Sequence, residues 1–112
     1  DPLARMALVP RVLEARGLDV TPGMIVKLRA LGDHATADIL ETILREEVAH
    51  VAAGSRWFRW LCEREGIDPE SKFRELLAGS TYDALRGPLN EEARLAAGFS
   101  MAELEHLRSA ER

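Results

Sequence analysis

From Asp33 to Gly66 the chain has neither a proline nor a clear helix-ending signal, its longest stretch of that kind. The stretch predicts one long helix around which the remaining segments pack. Its apolar or small residues Leu40, Ile43, Leu44, Val51, Gly54, Phe58 and Leu61 recur at spacings near three and four, or at sums of them. At about 100° per residue they fall within roughly one third of the helix circumference. Continuing the spacing from Leu40 and Ile43 toward Gly54 and Phe58 lands on Glu47 and His50, the polar members of an otherwise apolar seam. Glu41 and Arg45 point elsewhere, and Glu46 lies just outside the stripe.

A carboxylate and an imidazole on a buried face must each find a partner, because an unpaired buried charge is strongly unfavourable. The Glu-x-x-His spacing sets the two side chains one above the other, within reach of a single metal ion. A second carboxylate comes from the first segment, where Leu3, Met6, Ala7, Pro10 and Leu13 form a short apolar stripe and Glu14 lies on it. On the residues alone two readings stay open. In one, these groups bind metal. In the other, His50 is a core histidine bonded to a carbonyl and Glu47 pairs with an arginine, for which Arg5, Arg11 and Arg16 are available. His34 and His106 lie near helix ends and read as surface residues.

Local signals divide the rest of the chain into helices. Asp1 caps a first helix with Pro2 at its first position, expected to run to about Arg16 and to stop at Gly17, with Pro10 bending it shortly before Glu14. Thr21 and Pro22 then read as the start of a short helix, TPGMIVKLRALG, ending at Gly32, after which Asp33 caps the long one. Asp68 with Pro69 opens a helix through about Ala78, and GSTYDALRGP reads as a turn containing one helical turn. Asn90 caps EEARLAAG, and Ser100 with Glu103 has the form of a capping box before the last helix. No internal repeat, low-complexity tract or second domain is visible. Residues 1–112 therefore read as one helical domain.

Composition narrows the function classes. A formal net charge of −4 argues against a nucleic-acid surface as the main role. The run Arg56, Trp57, Phe58, Arg59, Trp60 mixes basic and aromatic residues, but helical geometry scatters it, and docking of the C-terminal segments onto Trp57 and Trp60 is the favoured reading over a stacking surface. The single cysteine, Cys62, reads as a small buried core residue. No apolar run approaches the length needed to span a bilayer, and no signal segment opens the chain, so a cytoplasmic protein with no membrane role is expected. The start at Asp1 without a methionine suggests a fragment or a processed form.

Three segments, VPRVLEARGLDVTPGM, ILREEVAHVAAGSRWFRWLCEREGIDP and ALRGPLNEEARLAAGFS, resemble the C-terminal half of a bacterial ferritin-like family known as domain of unknown function 455. The resemblance covers nearly the whole chain. It implies an all-α fold, half of a ferritin-like helical bundle with a helix pair over residues 1–66, followed by a C-terminal helical extension over residues 67–112. In ferritin-like carboxylate proteins each helix pair gives one Glu and one Glu-x-x-His, and two pairs hold two iron or manganese ions. Glu14, Glu47 and His50 match one such half, and by the same resemblance Glu46 is a candidate hydrogen-bond acceptor for a histidine. The first two helices that the resemblance implies have no counterpart here. Two copies of the chain, as a homodimer about a two-fold axis, would rebuild the set of four carboxylates and two imidazoles.

The function expected on this reading is that of a di-iron or di-manganese carboxylate protein of oxidoreductase type. The alternative is a metal-free helical interaction or dimerisation module, and a nucleic-acid binder built on Arg56 to Trp60 ranks third.

Overall fold

The computed structural model describes residues 1–78 and 88–110. Among them the chain is all-α. Asp1 caps helix α1 (Pro2–Leu8) by accepting the Leu3 N–H at 3.1 Å. A π-helical segment (Val9–Glu14) and α2 (Ala15–Ala30) continue from it with no intervening loop, so residues 2–30 form one rod. The expected stop at Gly17 and the expected new start at Thr21 and Pro22 do not occur. A glycine inside a helix costs only about 1 kcal/mol relative to alanine, and burial of Ala15, Leu18 and Ile25 on one face outweighs it. Pro22 has no N–H for the Leu18 carbonyl one turn earlier, and the Asn90 side-chain amide donates to that carbonyl instead, at 3.0 Å.

The rod ends in a Schellman motif. Asp33 N–H donates to Leu28 O at 2.9 Å and Gly32 N–H to Arg29 O at 3.0 Å, with Gly32 at φ 82°, a conformation glycine adopts without a Cβ penalty. Asp33 then caps α3 (His34–Arg64) through the Thr36 N–H at 3.1 Å. At 31 residues α3 is about 46 Å long, which sets the 51 Å long axis of the molecule. The short connection folds α3 back antiparallel to the rod. A second Schellman motif closes α3 at Gly66, where Ile67 N–H reaches Cys62 O at 2.8 Å.

Helices α4 (Pro69–Ala78), α5 (Glu91–Ala96) and α6 (Met101–Ala110) close over one side of this pair. Their starts match the sequence signals. Asp68 accepts from Ser71, Asn90 accepts from the Ala93 N–H at 3.2 Å, and Ser100 and Glu103 make the reciprocal pair of a capping box. The turn expected over GSTYDALRGP falls mainly on residues 79–87, outside the described residues. The core gathers Leu3, Ala7, Val12, Leu18, Val51, Phe58, Cys62, Phe73, Phe99, Leu104 and Leu107. Cys62 is fully buried there, and burial pushes its thiol pKa up.

Two expectations about α3 are corrected by this packing. Its buried residues are Ala37, Val51, Gly54, Ser55, Phe58 and Cys62, with Leu44 and Val48 packed beside them. Val51, Gly54 and Phe58 belong to the seam read in the sequence, but the line as a whole is turned roughly 40° from it, because the C-terminal helices bury Ser55 and Cys62 rather than Ile43. Trp57 and Trp60 do not anchor the described C-terminal helices. They lie exposed, edge to face at 5.7 Å, while Phe58, Phe73 and Phe99 make the aromatic contacts of the core.

Candidate metal centre

Glu14 is the last residue of the π segment, and Glu47 and His50 lie one turn apart in the middle of α3. Antiparallel packing brings them to the same level. His50 Nδ1 is 3.3 Å from Glu14 Oε2 and 3.7 Å from Glu47 Oε1, and one potential ligand atom from each residue lies within 4.8 Å of the others. Donors bonded to one ion at about 2.1 Å are themselves roughly 3–4 Å apart, a range that the two His50 contacts fall in and that an ordinary hydrogen-bonded cluster also fits. Among the described residues this is the one cluster of three or more His, Cys, Asp or Glu side chains so arranged.

The close approach that creates the cluster has a local cause. Pro10, in the π segment, lies against Gly54, where a Cβ would stand 2.4 Å from the proline Cβ. Only a residue without a side chain lets the Pro10 ring pack directly on the α3 backbone there. The wide π turn, a feature often found at functional sites, then carries Glu14 onto the edge facing α3.

The turn in the buried face of α3 also changes the setting of the site. Glu47 and His50 were expected on a buried seam. Instead they stand on its shoulder, with Glu47 half-buried and the His50 side chain 64% exposed. Glu47 Oε1 is itself shielded from solvent and has no hydrogen-bond partner. Among the described residues no arginine serves it: Arg11 is bound to Glu103, Arg16 to Asp19, and Arg5 makes no hydrogen bond to it. A desolvated carboxylate oxygen without a donor is costly, and a cation between the three side chains would satisfy it. Two carboxylates and an imidazole are a donor set suited to iron or manganese, and also acceptable to zinc. The residues therefore fit a metal ion. Glu46 is exposed and makes no hydrogen bond to a histidine among the described residues.

Apolar grooves flank the cluster on both sides. One, of about 440 Å³, is lined by Met6, Val9, Pro10 and Trp57, with Glu14 and His50 at its edge. The other, of about 300 Å³, is lined by Leu13, Thr21, Ile43 and Leu44, with Glu14 and Glu47 at its edge. Val9, Leu13, Ile43 and Trp57 are all exposed. His34 is exposed at the start of α3, whereas His106 is half-buried on α6; neither joins the cluster.

A second polar cluster, behind the first, was missed by the sequence reading. Arg11 is only 1% exposed and donates to Glu103 through both terminal nitrogens, at 2.6 and 2.7 Å. Its Nε donates to Ser55 Oγ at 3.0 Å, and Ser55 Oγ donates to Ala97 O at 2.8 Å. The available signal was the four-residue spacing of Leu3, Ala7, Arg11 and Ala15, which places Arg11 in an apolar row.

The family described as "Protein of unknown function (DUF455)" matches residues 1–105. The chain belongs to that family. It is similar to a protein of Haemophilus influenzae (strain ATCC 51907 / DSM 11121 / KW20 / Rd), described only as an uncharacterized protein, with 46% identity over 101 residues. The alignment covers 90% of this chain and 35% of that protein, so the chain spans about a third of that relative's length. No solved structure matches it. Among the described residues no helix is long and apolar enough to cross a membrane.

Proposed function

We propose that Glu14, Glu47 and His50 are one half of a ferritin-like two-metal carboxylate centre, holding iron or manganese in a protein of oxidoreductase type. The observation that carries the reading is the convergence of three donors from two segments around a shielded Glu47 oxygen that has no hydrogen-bond partner among the described residues, His50 Nδ1 standing 3.7 Å away. When bound, such a metal pair supplies electron transfer and activation of oxygen. The chain's own residues do the rest: Glu14 and Glu47 supply negative charge, His50 supplies neutral nitrogen, and Val9, Leu13, Ile43 and Trp57 give the site a margin from which a covering surface would exclude water.

Three protein donors on an open face are half of what two metals need. A second copy of the chain, laid face to face about a two-fold axis, supplies the other Glu14, Glu47 and His50 and covers the apolar margin. A second reading of the cover, favoured by the length of the Haemophilus influenzae relative, places the complementary residues on polypeptide outside these 112 residues.

Elemental analysis of the purified chain, together with its mass in solution, tests both. A dimer with stoichiometric metal, lost in Glu47→Ala while helicity persists, is the expected result. A metal-free dimer unaltered by Glu47→Ala would instead favour an interaction module that uses the same apolar margin. A monomer that gains metal only with additional polypeptide would favour the second cover.

A further inference from the structure

We infer that the buried Arg11–Glu103 pair is a positioning device for the metal centre, holding the π segment in the register that sets Glu14 against Glu47 and His50. The inference rests on the metal reading above.

The argument begins with the register. Leu3, Ala7, Arg11 and Ala15 recur every four residues and line the interior side of the rod, Leu3, Ala7 and Ala15 in its apolar core. In an unbroken α-helix the step from Leu3 to Ala15 would overshoot three full turns by about 120°. The π segment absorbs that surplus, with Ala15 N–H bonded to Pro10 O five residues back. Glu14, next to Ala15, thereby stays beside α3. Without the wide turn it would be swung by roughly 100° around the rod.

A π turn is a rare alternative to the α-helix and needs outside support. Arg11, at its centre, supplies it. Its fork grips both oxygens of Glu103 on α6, its Nε holds Ser55 on α3, and Nη2 also reaches Gly98 O at 3.3 Å. The guanidinium carbon stands 4.5 Å from the ring centre of Phe73 and 4.3 Å from that of Phe99. A bidentate fork fixes orientation as well as distance, so the rotation of the π turn is set from α6, a helix that contributes no metal donor.

The test uses the whole chain, Co(II) as probe, and the paired replacement Arg11→Met with Glu103→Leu, since exchanging a buried ion pair for apolar groups of similar volume often leaves stability intact. On the inference the double variant folds, its thermal midpoint lowered only by loss of the Glu103 acceptor for the Ser100 N–H, binds Co(II) on the order of tenfold more weakly, and shows an altered cobalt visible spectrum. It also loses the nuclear Overhauser contacts between Glu14 and His50 in the metal-free chain. If the double variant does not fold, Glu103→Gln, which keeps the shape and breaks the charged fork, is read in the same way. Wild-type affinity, spectrum and contacts in a folded variant would overturn the inference. If the wild-type chain binds no Co(II), the metal reading fails by itself, and the Glu14–His50 contacts still decide whether the pair sets the register.

Discussion

Two of the polar clusters on the rod formed by residues 2–30, those of Arg11 and of Glu14, differ in completeness; a third, around Asp19, is bound to Arg94, Asn90 and Arg16. Arg11 is buried and engages Glu103, Ser55 and Gly98 with all three guanidinium nitrogens, between aromatic rings. Glu14, Glu47 and His50 are partly exposed, hold only one contact of hydrogen-bond length among them, and leave Glu47 Oε1 without a donor. Closure favours stability, because every unsatisfied buried group carries a cost, whereas the half-open cluster leaves its donor atoms within reach of an added ligand.

The sharpest way to break the comparison is to open the closed cluster. Arg11→Ala leaves Glu103 buried without its partner and is expected to cost about 3–5 kcal/mol, read as a large fall in the urea midpoint. Gly54→Ala strikes between the two clusters. Its Cβ cannot fit against Pro10, so the helices must separate, at a cost of about 1–3 kcal/mol. Metal uptake should fall with it, as Glu14 moves away from α3. In the open cluster the expectation reverses: Glu47→Ala, which removes an unsatisfied oxygen, should leave the metal-free chain no less stable while removing metal binding.

The smallest effect comes from carboxylates that are exposed but satisfied. Hydrogen bonds from Thr36 hold Asp33 below its ordinary pKa of 3.8, and those from Ser71 do the same for Asp68. A carboxylate whose pKa is lowered on folding adds stability above its unfolded value, and that stability is lost as pH falls through the folded one. The difference in thermal midpoint between wild type and Asp33→Ala should therefore be present at neutral pH and shrink below the ordinary aspartate range. A difference that stays constant into acid would assign the effect to helix propensity rather than to the charged cap.

Those caps mark what the sequence determined by itself. The starts at Asp1, Asp33, Asp68, Asn90 and Ser100, and the stops at Gly32 and Gly66, depend on hydrogen bonds closed within a few residues, so the local sequence carries them. The long α3 and the Glu47 and His50 pair one turn apart were legible for the same reason. Only the tertiary structure decided that the rod passes through Gly17 and Pro22, since the compensation for Pro22 comes from Asn90. It alone rotated the buried face of α3, leaving Ile43 and His50 exposed and hiding Ser55. It also gave Arg11 a partner 92 residues away. Such contacts are set by which faces the C-terminal helices cover, and no periodicity within one helix encodes that.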